Sequence, residues 1–360
     1  MKKKAGILTF HNANNYGAAL QAYALQTAIN GLSPETETEI IDYTCNGIQG
    51  QRSLKRVIKK QGFVSAVLHW PFTKKRIKKI DEFCRKHMRL SRRVQSREEL
   101  KALAEEYDVI ISGSDQIWNR KWNGNDDVYL QDFHDHSEKK ASYAASFGIK
   151  ELPQEWKEPY RKYLSAFSAV SVREDSGKMI MKDDFDIDAQ VNIDPTLLLT
   201  SSQWNSIAAP TIIDKPYVLV YMVPFQKSVL EYAREIAAQR GLEMVIVCKS
   251  LKKTGGIFMG GSAVEEIIAL FRDAQCVVTN SFHGTAFSVI YNKELSIELK
   301  NPRGYNLRSK NLLRECGLLD GSEDEGEGIL KISCPDPAKT EKRLAEKRKA
   351  SFEYLAALLK

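Results

Sequence analysis

The sequence lacks most of the features that would name a chemistry outright. It has no Cys-x-x-Cys. Its six cysteines (Cys45, Cys84, Cys248, Cys276, Cys316, Cys334) are scattered, several inside apolar runs. That is the pattern of buried free thiols in a reducing compartment, not of a disulfide framework or a zinc ribbon. Only six histidines are present, and no histidine or cysteine cluster has metal-ligand spacing. His134-x-His136 alone is weak evidence, so neither an obligatory metal nor a cofactor is expected. A G-x-G-x-x-G and a Walker loop are both missing, which removes the usual dinucleotide and NTP signatures. No stretch is long and apolar enough to span a bilayer. The apolar run after Met1-Lys2-Lys3-Lys4 is too short for a signal peptide and enters a strand-like segment. A cytoplasmic protein is expected. The net charge of +7 is moderate; it suits anionic small molecules or an anionic membrane surface, and does not argue for nucleic acid.

What is present reads as an ordinary soluble globular chain, 43% apolar and 28% charged, whose 360 residues exceed the usual single domain. Ala5–Phe10 reads as a first strand, followed by the polar loop His11–Gly17 and a helix from Ala18 to Asn30 rich in alanine, leucine and glutamine. Glu39–Tyr43 is a second strand and Tyr107–Ile111 a buried one ending in Ser112-Gly113-Ser114-Asp115. Val128–Phe133 and Lys140–Phe147 are expected as short strands, and Ala169–Glu174 as a strand carrying Arg173 at its end. Leu197–Pro216 reads as a linker. A fresh alternation follows: strand Tyr217–Val223, helix Gln226–Arg240, strand Leu242–Cys248, a glycine-rich loop Lys252–Gly261, helix Val264–Ala274, strand Cys276–Thr279 and last strand Leu295–Leu299. Asn306 and Arg308 precede a further helix, Asp320–Gly328 is an acidic loop, and Asp336–Lys360 a charged terminal helix.

Two runs of alternating strand and helix predict an α/β protein of two Rossmann-like domains facing a cleft. The first covers 1–209, with a basic helical insertion at about 52–97; the second covers 210–335, and the terminal helix 336–360 is expected to pack back on the first. Polar groups at strand ends are the candidates for facing the cleft. Asn280-Ser281-Phe282-His283-Gly284 follows the β-branched run Cys276–Thr279 and precedes a helix-compatible run. Helix-start N–H groups there favour an anion, with Ser281 and His283 facing it and Gly284 letting backbone come close. An N-cap followed by a hydrogen-bonded histidine fits the same residues. Asn14, Asn15 and Gly17 fit either a phosphate-type loop or turn and N-cap chemistry. Arg173 fits a bidentate clamp on carboxylate or phosphate, or a local ion pair with Glu174 or Asp175. The section Arg52–Arg97 interleaves many lysines and arginines with Leu54, Val57, Val64, Leu68, Trp70 and Phe72. It reads either as solvated helices packed on the domain or as basic amphipathic helices, broken at Trp70-Pro71-Phe72, in peripheral contact with an anionic bilayer.

Six segments in order resemble the polysaccharide pyruvyl transferase family: Phe10–Ala18, Gly113–Asn119 (GSDQIWN), Tyr143–Gly148, Ser171–Glu174, Asp194–Thr196 and Thr279–Gly284. The resemblance implies a glycosyltransferase-B-like arrangement. It also implies transfer of a pyruvyl group from phosphoenolpyruvate to a sugar of a cell-surface polysaccharide, or of its lipid-linked precursor, as a cyclic ketal with release of phosphate. The family's histidine and arginine, associated with donor binding and catalysis, fall on His283 and Arg173. A donor carrying phosphate and carboxylate calls for cations and backbone N–H groups, for which Arg173, Arg308 and the helix after His283 are suited; Gly113, Ser114 and Asn280 would join them. His283 is a candidate proton donor and Asp115 a candidate acceptor of a hydroxyl proton, or a loop cap after Gly113. A nucleotide-sugar glycosyltransferase would share the fold, and a non-catalytic glycan-precursor-binding protein is a third reading.

Overall fold

The computed structural model describes residues 2–250, 255–299, 305–319, 328–332 and 336–360. The acidic segment Asp320–Gly328 therefore lies, but for its last residue, outside the described residues, as does the start of the glycine-rich loop after Cys248. The chain forms two compact units. The first comprises Met1–Phe63, Ile80–Leu198 and Lys347–Lys360; the second comprises Val64–Lys79 and Leu199–Glu346. The division thus falls at Leu198–Leu199, ahead of the 209–210 boundary read from the prolines, and sixteen residues of the basic section belong to the second unit.

The first unit is built on β1 (Lys4–Leu8), β2 (Glu37–Ile40), β3 (Val109–Ser112) and β4 (Lys140–Ser142) in the order β2-β1-β3-β4, all parallel. A parallel pair, β5 (Ser171–Val172) and β6 (Gln190–Val191), adjoins it through the isolated bridges Ala141–Ala169 and Ala145–Val172. β1 and β3 are neighbours although β2 lies between them in sequence, so the strand order reverses there. In open α/β sheets ligands collect at such a point, outside the carboxyl ends of the strands. The register pairs Leu8 with Ser112, so the loops Thr9–Asn15 and Gly113–Asp115 leave the sheet side by side. Its core is continuous and includes Leu8, Ile110, Trp118, Tyr129, Phe147 and Tyr160.

The second unit carries β7 (Tyr217–Tyr221), β8 (Glu243–Val247), β9 (Ile257–Phe258), β10 (Cys276–Thr279), β11 (Glu294–Glu298) and β12 (Ile329–Ile332) in the order β12-β11-β10-β7-β8-β9. All pairings are parallel except β11 with β12. Here the order reverses between β7 and β10, whose register pairs Tyr221 with Thr279. The fully buried Val-Leu-Val and Val-Val runs of these two strands have no polar face, as a sheet covered on both sides requires. The terminal helix Pro337–Leu358 returns to the first unit in its last turns. There Arg348 donates to the Leu197 carbonyl at 2.7 Å, and Tyr354 to that of Ser142 at 2.9 Å.

Four local readings need correction. Val128–Phe133 is not a strand: a 3₁₀ turn runs over Asp127–Leu130, capped by the Asp126 side chain on the Val128 N–H at 3.2 Å, and Gln131 ends it with φ +54°. The strand expected at Lys140–Phe147 stops at Ser142, because Ala144 takes φ +47° and breaks the extended backbone. Trp70-Pro71-Phe72 does not interrupt the basic section, since Pro71 lies inside one continuous helix, Phe63–His87. Arg308 does not precede its helix but lies within it, over Tyr305–Glu315.

Candidate functional site

In the second unit the site is built by the turn from β10 into the helix Phe282–Ile290. Thr279 closes the strand by donating from Oγ1 to the Tyr221 carbonyl at 2.6 Å, and the same oxygen accepts the Ser281 N–H at 3.0 Å. Asn280 spans the switch point: its Oδ1 accepts from the Val223 N–H at 2.8 Å and its Nδ2 donates to the Pro224 carbonyl at 2.9 Å. Its amide thus joins the two loops across the switch point. Gly284 is required by close packing. A Cβ there would stand 2.2 Å from Thr279 Oγ1 and 2.9 Å from Thr279 Cβ, far inside contact distance. Ser281 is the N-cap without a side-chain capping bond; the helix-start N–H groups left to it are the kind that bind anions. His283 is 6% exposed in the first turn. Its ring lies edge-on to Phe282 with centroids 5.3 Å apart, and the Arg308 guanidinium sits over the Phe282 ring at 5.5 Å. Thr285 and Ser309 hydroxyls meet at 3.2 Å and hold the two helices together. Ser281, His283 and Arg308 are thus gathered at one helix start.

In the first unit the loop after β1 is knitted inward. Asn15 is the N-cap of the helix Tyr16–Leu32, its Oδ1 accepting from the Gly17 N–H at 3.2 Å. The capping geometry expected of Asn15 and Gly17 is present. Asn14 is buried at 8% exposure. Gly113 packs tightly, a Cβ there lying 3.1 Å from Thr9 Cβ. Ser114 donates its hydroxyl to Asp194 Oδ2 at 3.3 Å.

Asp115 and Arg173 come together because their strands do. The bridges Asp115–Ala145 and Ala145–Val172 lay the ends of β3, β4 and β5 next to one another, and Arg173 follows Val172 directly. Asp115 adopts φ +71°, a left-handed conformation that costs a non-glycine residue about 1 kcal/mol or more and marks functional sites often enough to be informative. Arg173 is buried and surrounded by three carboxylates. Its Nη1 donates to Asp194 Oδ2 at 2.8 Å, Nε lies 3.5 Å from Glu174 Oε2, and Nη2 lies 3.9 Å from Asp115 Oδ1. Burial works against its charge, but Asp194, Glu174 and Asp115 outweigh burial and raise its pKa above the ordinary guanidinium value. Asp194 in turn accepts from the Thr196 N–H at 3.0 Å and hydroxyl at 2.7 Å, and Glu174 from the Ser146 hydroxyl at 2.5 Å. Arg173 thus sits in an internal ion network, which includes the local Glu174 pair that its sequence neighbours suggested.

One feature escaped the sequence reading. A cleft of about 690 Å³ opens beside the ends of β1 and β2, lined by His11, Asn12, Asp42, Arg52, Arg85 and Arg93 among others. His11 Nε2 and Asp42 Oδ1 are 3.3 Å apart, and this hydrogen bond holds the Asp42 carboxyl below the usual carboxylate range. Arg52 forks onto Asp81 and also donates to the Asn12 carbonyl at 2.7 Å. His11 falls inside a motif already singled out, which was the available signal. Among the described residues no group of three or more His, Cys, Asp and Glu is arranged to hold a metal ion, and no helix is long and apolar enough to cross a membrane.

Comparison with solved structures finds the following likenesses. The UDP-GlcNAc 2-epimerase of Neisseria meningitidis matches with a TM-score of 0.53 at 11% identity, covering 100% of this chain and 99% of that one. A putative UDP-N-acetylglucosamine 2-epimerase of Listeria monocytogenes gives a TM-score of 0.48 at 12% identity, with 98% of each chain covered. The glycosyltransferase SsfS6 of Streptomyces sp. SF2575 gives 0.44 at 10%, with 99% of each covered. At such identities the likeness concerns fold alone: α/β with parallel sheets. No curated protein matches the chain in sequence. The family model for polysaccharide pyruvyl transferase, by contrast, matches residues 15–295, a span holding Asn15, Asp115, Arg173 and His283. The chain belongs to the polysaccharide pyruvyl transferase family.

Proposed function

We propose that this protein transfers the pyruvyl group of phosphoenolpyruvate onto two hydroxyls of a sugar, forming a cyclic ketal. The sugar belongs to a cell-surface polysaccharide or its lipid-linked precursor. The observation that carries the reading is the gathering of Ser281, His283 and Arg308 at one helix start, within a chain of this family. A donor bearing a phosphate and a carboxylate is recognised by N–H groups and a cation, and an imidazole beside it can exchange a proton near neutral pH.

In this reading His283 donates a proton to the methylene carbon, making the methyl group and leaving the neighbouring carbon electron-deficient. One sugar hydroxyl adds to that carbon and gives up its proton. The bond to phosphate then breaks, and a second hydroxyl closes the ketal. The two hydroxyl protons balance the one taken up by carbon and the one carried off by phosphate. Asp115 is the group proposed to accept a hydroxyl proton. Arg173, with Nη2 3.9 Å from Asp115 Oδ1, places a positive charge beside that carboxylate. No redox or acyl-carrying cofactor is required, because the enol phosphate is already activated.

The test is phosphate release from phosphoenolpyruvate in the presence of a glycan panel, with mass spectrometry of the glycans. A ketal adduct on one acceptor is the expected result. His283→Ala should abolish the adduct and leave the fold intact by circular dichroism; near-parental turnover in that variant rules out the role given to His283. Turnover of a nucleotide-sugar donor with no pyruvyl adduct would rule out the whole reading.

A further inference from the structure

The helix Phe63–His87 exposes what soluble proteins normally cover. Among the described residues only seven large hydrophobic side chains are exposed, and five of them lie in its first ten residues: Phe63, Val64, Val67, Leu68 and Phe72. Phe63, Val64 and Leu68 are 67%, 71% and 64% exposed. At 3.6 residues per turn these five share one side of the helix. The opposite side is anchored: Ala66 is fully buried, and Arg76 is 4% exposed and donates to the Gly260 carbonyl at 2.8 Å. Phe72 meets Phe258 of β9 edge-on, and the adjacent Ile257 is a sixth exposed apolar side chain. The stripe is therefore held outward by packing behind it.

Charge decides what would cover it. From Tyr43 to Ile80 the sequence has ten lysines and arginines and no aspartate or glutamate, more positive charge than the whole chain carries net. Lys74, Lys75 and Lys78 are exposed on the stripe's own side in the following turns. An apolar stripe flanked by basic side chains matches an acyl boundary topped by anionic headgroups. We propose that this face docks the protein on the surface of an anionic bilayer. Phe63, Val64, Val67, Leu68 and Phe72 enter below the headgroups, and the lysines pair with lipid phosphate. The docking stands independently of which sugar the protein modifies.

The test is co-sedimentation of the full-length protein with phosphatidylcholine vesicles, with and without phosphatidylglycerol. Binding should require phosphatidylglycerol and weaken as salt screens the lysines. Each of Lys74→Glu and Lys75→Glu should weaken it about fivefold or more, since one basic residue near such a surface contributes about one kcal/mol. The double variant Phe63→Ser, Leu68→Ser changes only exposed side chains, should keep the parental melting temperature, and should lose binding. Absence of sedimentation with either vesicle, or equal binding by the serine variant, overturns the proposal. So does a chain that runs as a dimer and becomes monomeric on Leu68→Ser, because a second copy would then be what covers the stripe.

Discussion

Arg173 invites a decisive perturbation. An inactive Arg173 variant is easily taken as proof that the guanidinium grips the donor, yet its neighbours are Asp194, Glu174 and Asp115. Replacing it with methionine leaves Asp194 and Glu174 buried without their cation; their side chains are 0% and 4% exposed. Breaking a buried ion pair from one side costs about 3–5 kcal/mol. A unit of this size loses roughly 2–4 °C per kcal/mol, so the transition should fall by about 6–20 °C. Thermal unfolding of the full chain reads this, with hydrogen exchange at β3 assigning the transition to the first unit. Adding Asp194→Asn to Arg173→Met removes one stranded charge and should restore a measurable part of the loss, a coupling that a purely ligand-binding arginine would not produce. A melting temperature within a degree of the parent would refute the reasoning and return Arg173 to direct donor binding.

Further outcomes follow from the same geometry. Gly284→Ala forces a Cβ onto Thr279 and should destabilise the second unit by about 1–3 kcal/mol in denaturant unfolding; an unchanged midpoint would mean that the helix start yields freely. Burial, with Lys140 and His136 adding to it, pushes His134 down to about 4. The unfolded chain therefore binds the extra proton first: stability is complete above the ordinary histidine value and declines as pH falls towards about 4. His134→Gln should flatten that part of the stability–pH curve, and an identical curve would count against it. Asp42, depressed by its bond to His11, contributes stability above the ordinary carboxylate range and loses it as pH falls through its own lower value, so the gap between parent and Asp42→Asn should close in acid. Asn280→Ala removes two hydrogen bonds to the loop after β7 and should lower turnover by misplacing that loop while His283 itself is intact.

The strand ends were legible because β-branched runs such as Cys276–Thr279 stop abruptly at polar clusters, and the order of those clusters carried the family. The two Rossmann-like units followed from the alternation of elements. Less was legible where backbone conformation decides: nothing in Tyr143–Ser146 announces that Ala144 takes φ +47°, so an apolar run read as strand. The Arg173 network was half visible, since Glu174 is its neighbour, whereas Asp194 arrives through the register of β5 with β6, which pairs Val172 with Val191. The cleft at His11 and Asp42 combines residues thirty-one apart, a pairing set by β1 lying against β2. That Val64–Lys79 belongs to the second unit was not legible, because it joins that unit through side-chain packing such as Arg76 on Gly260.

The first unit is assembled from three separate lengths of chain and the second from two. No single cut yields either one whole. A fragment ending at Leu198 would keep its sheet, but the Leu197 carbonyl would lack Arg348, its hydrogen-bond partner 151 residues downstream. During synthesis, then, the early half must wait, partly built, until the closing helix emerges, and a chain halted in between would present that seam to chaperones and proteases.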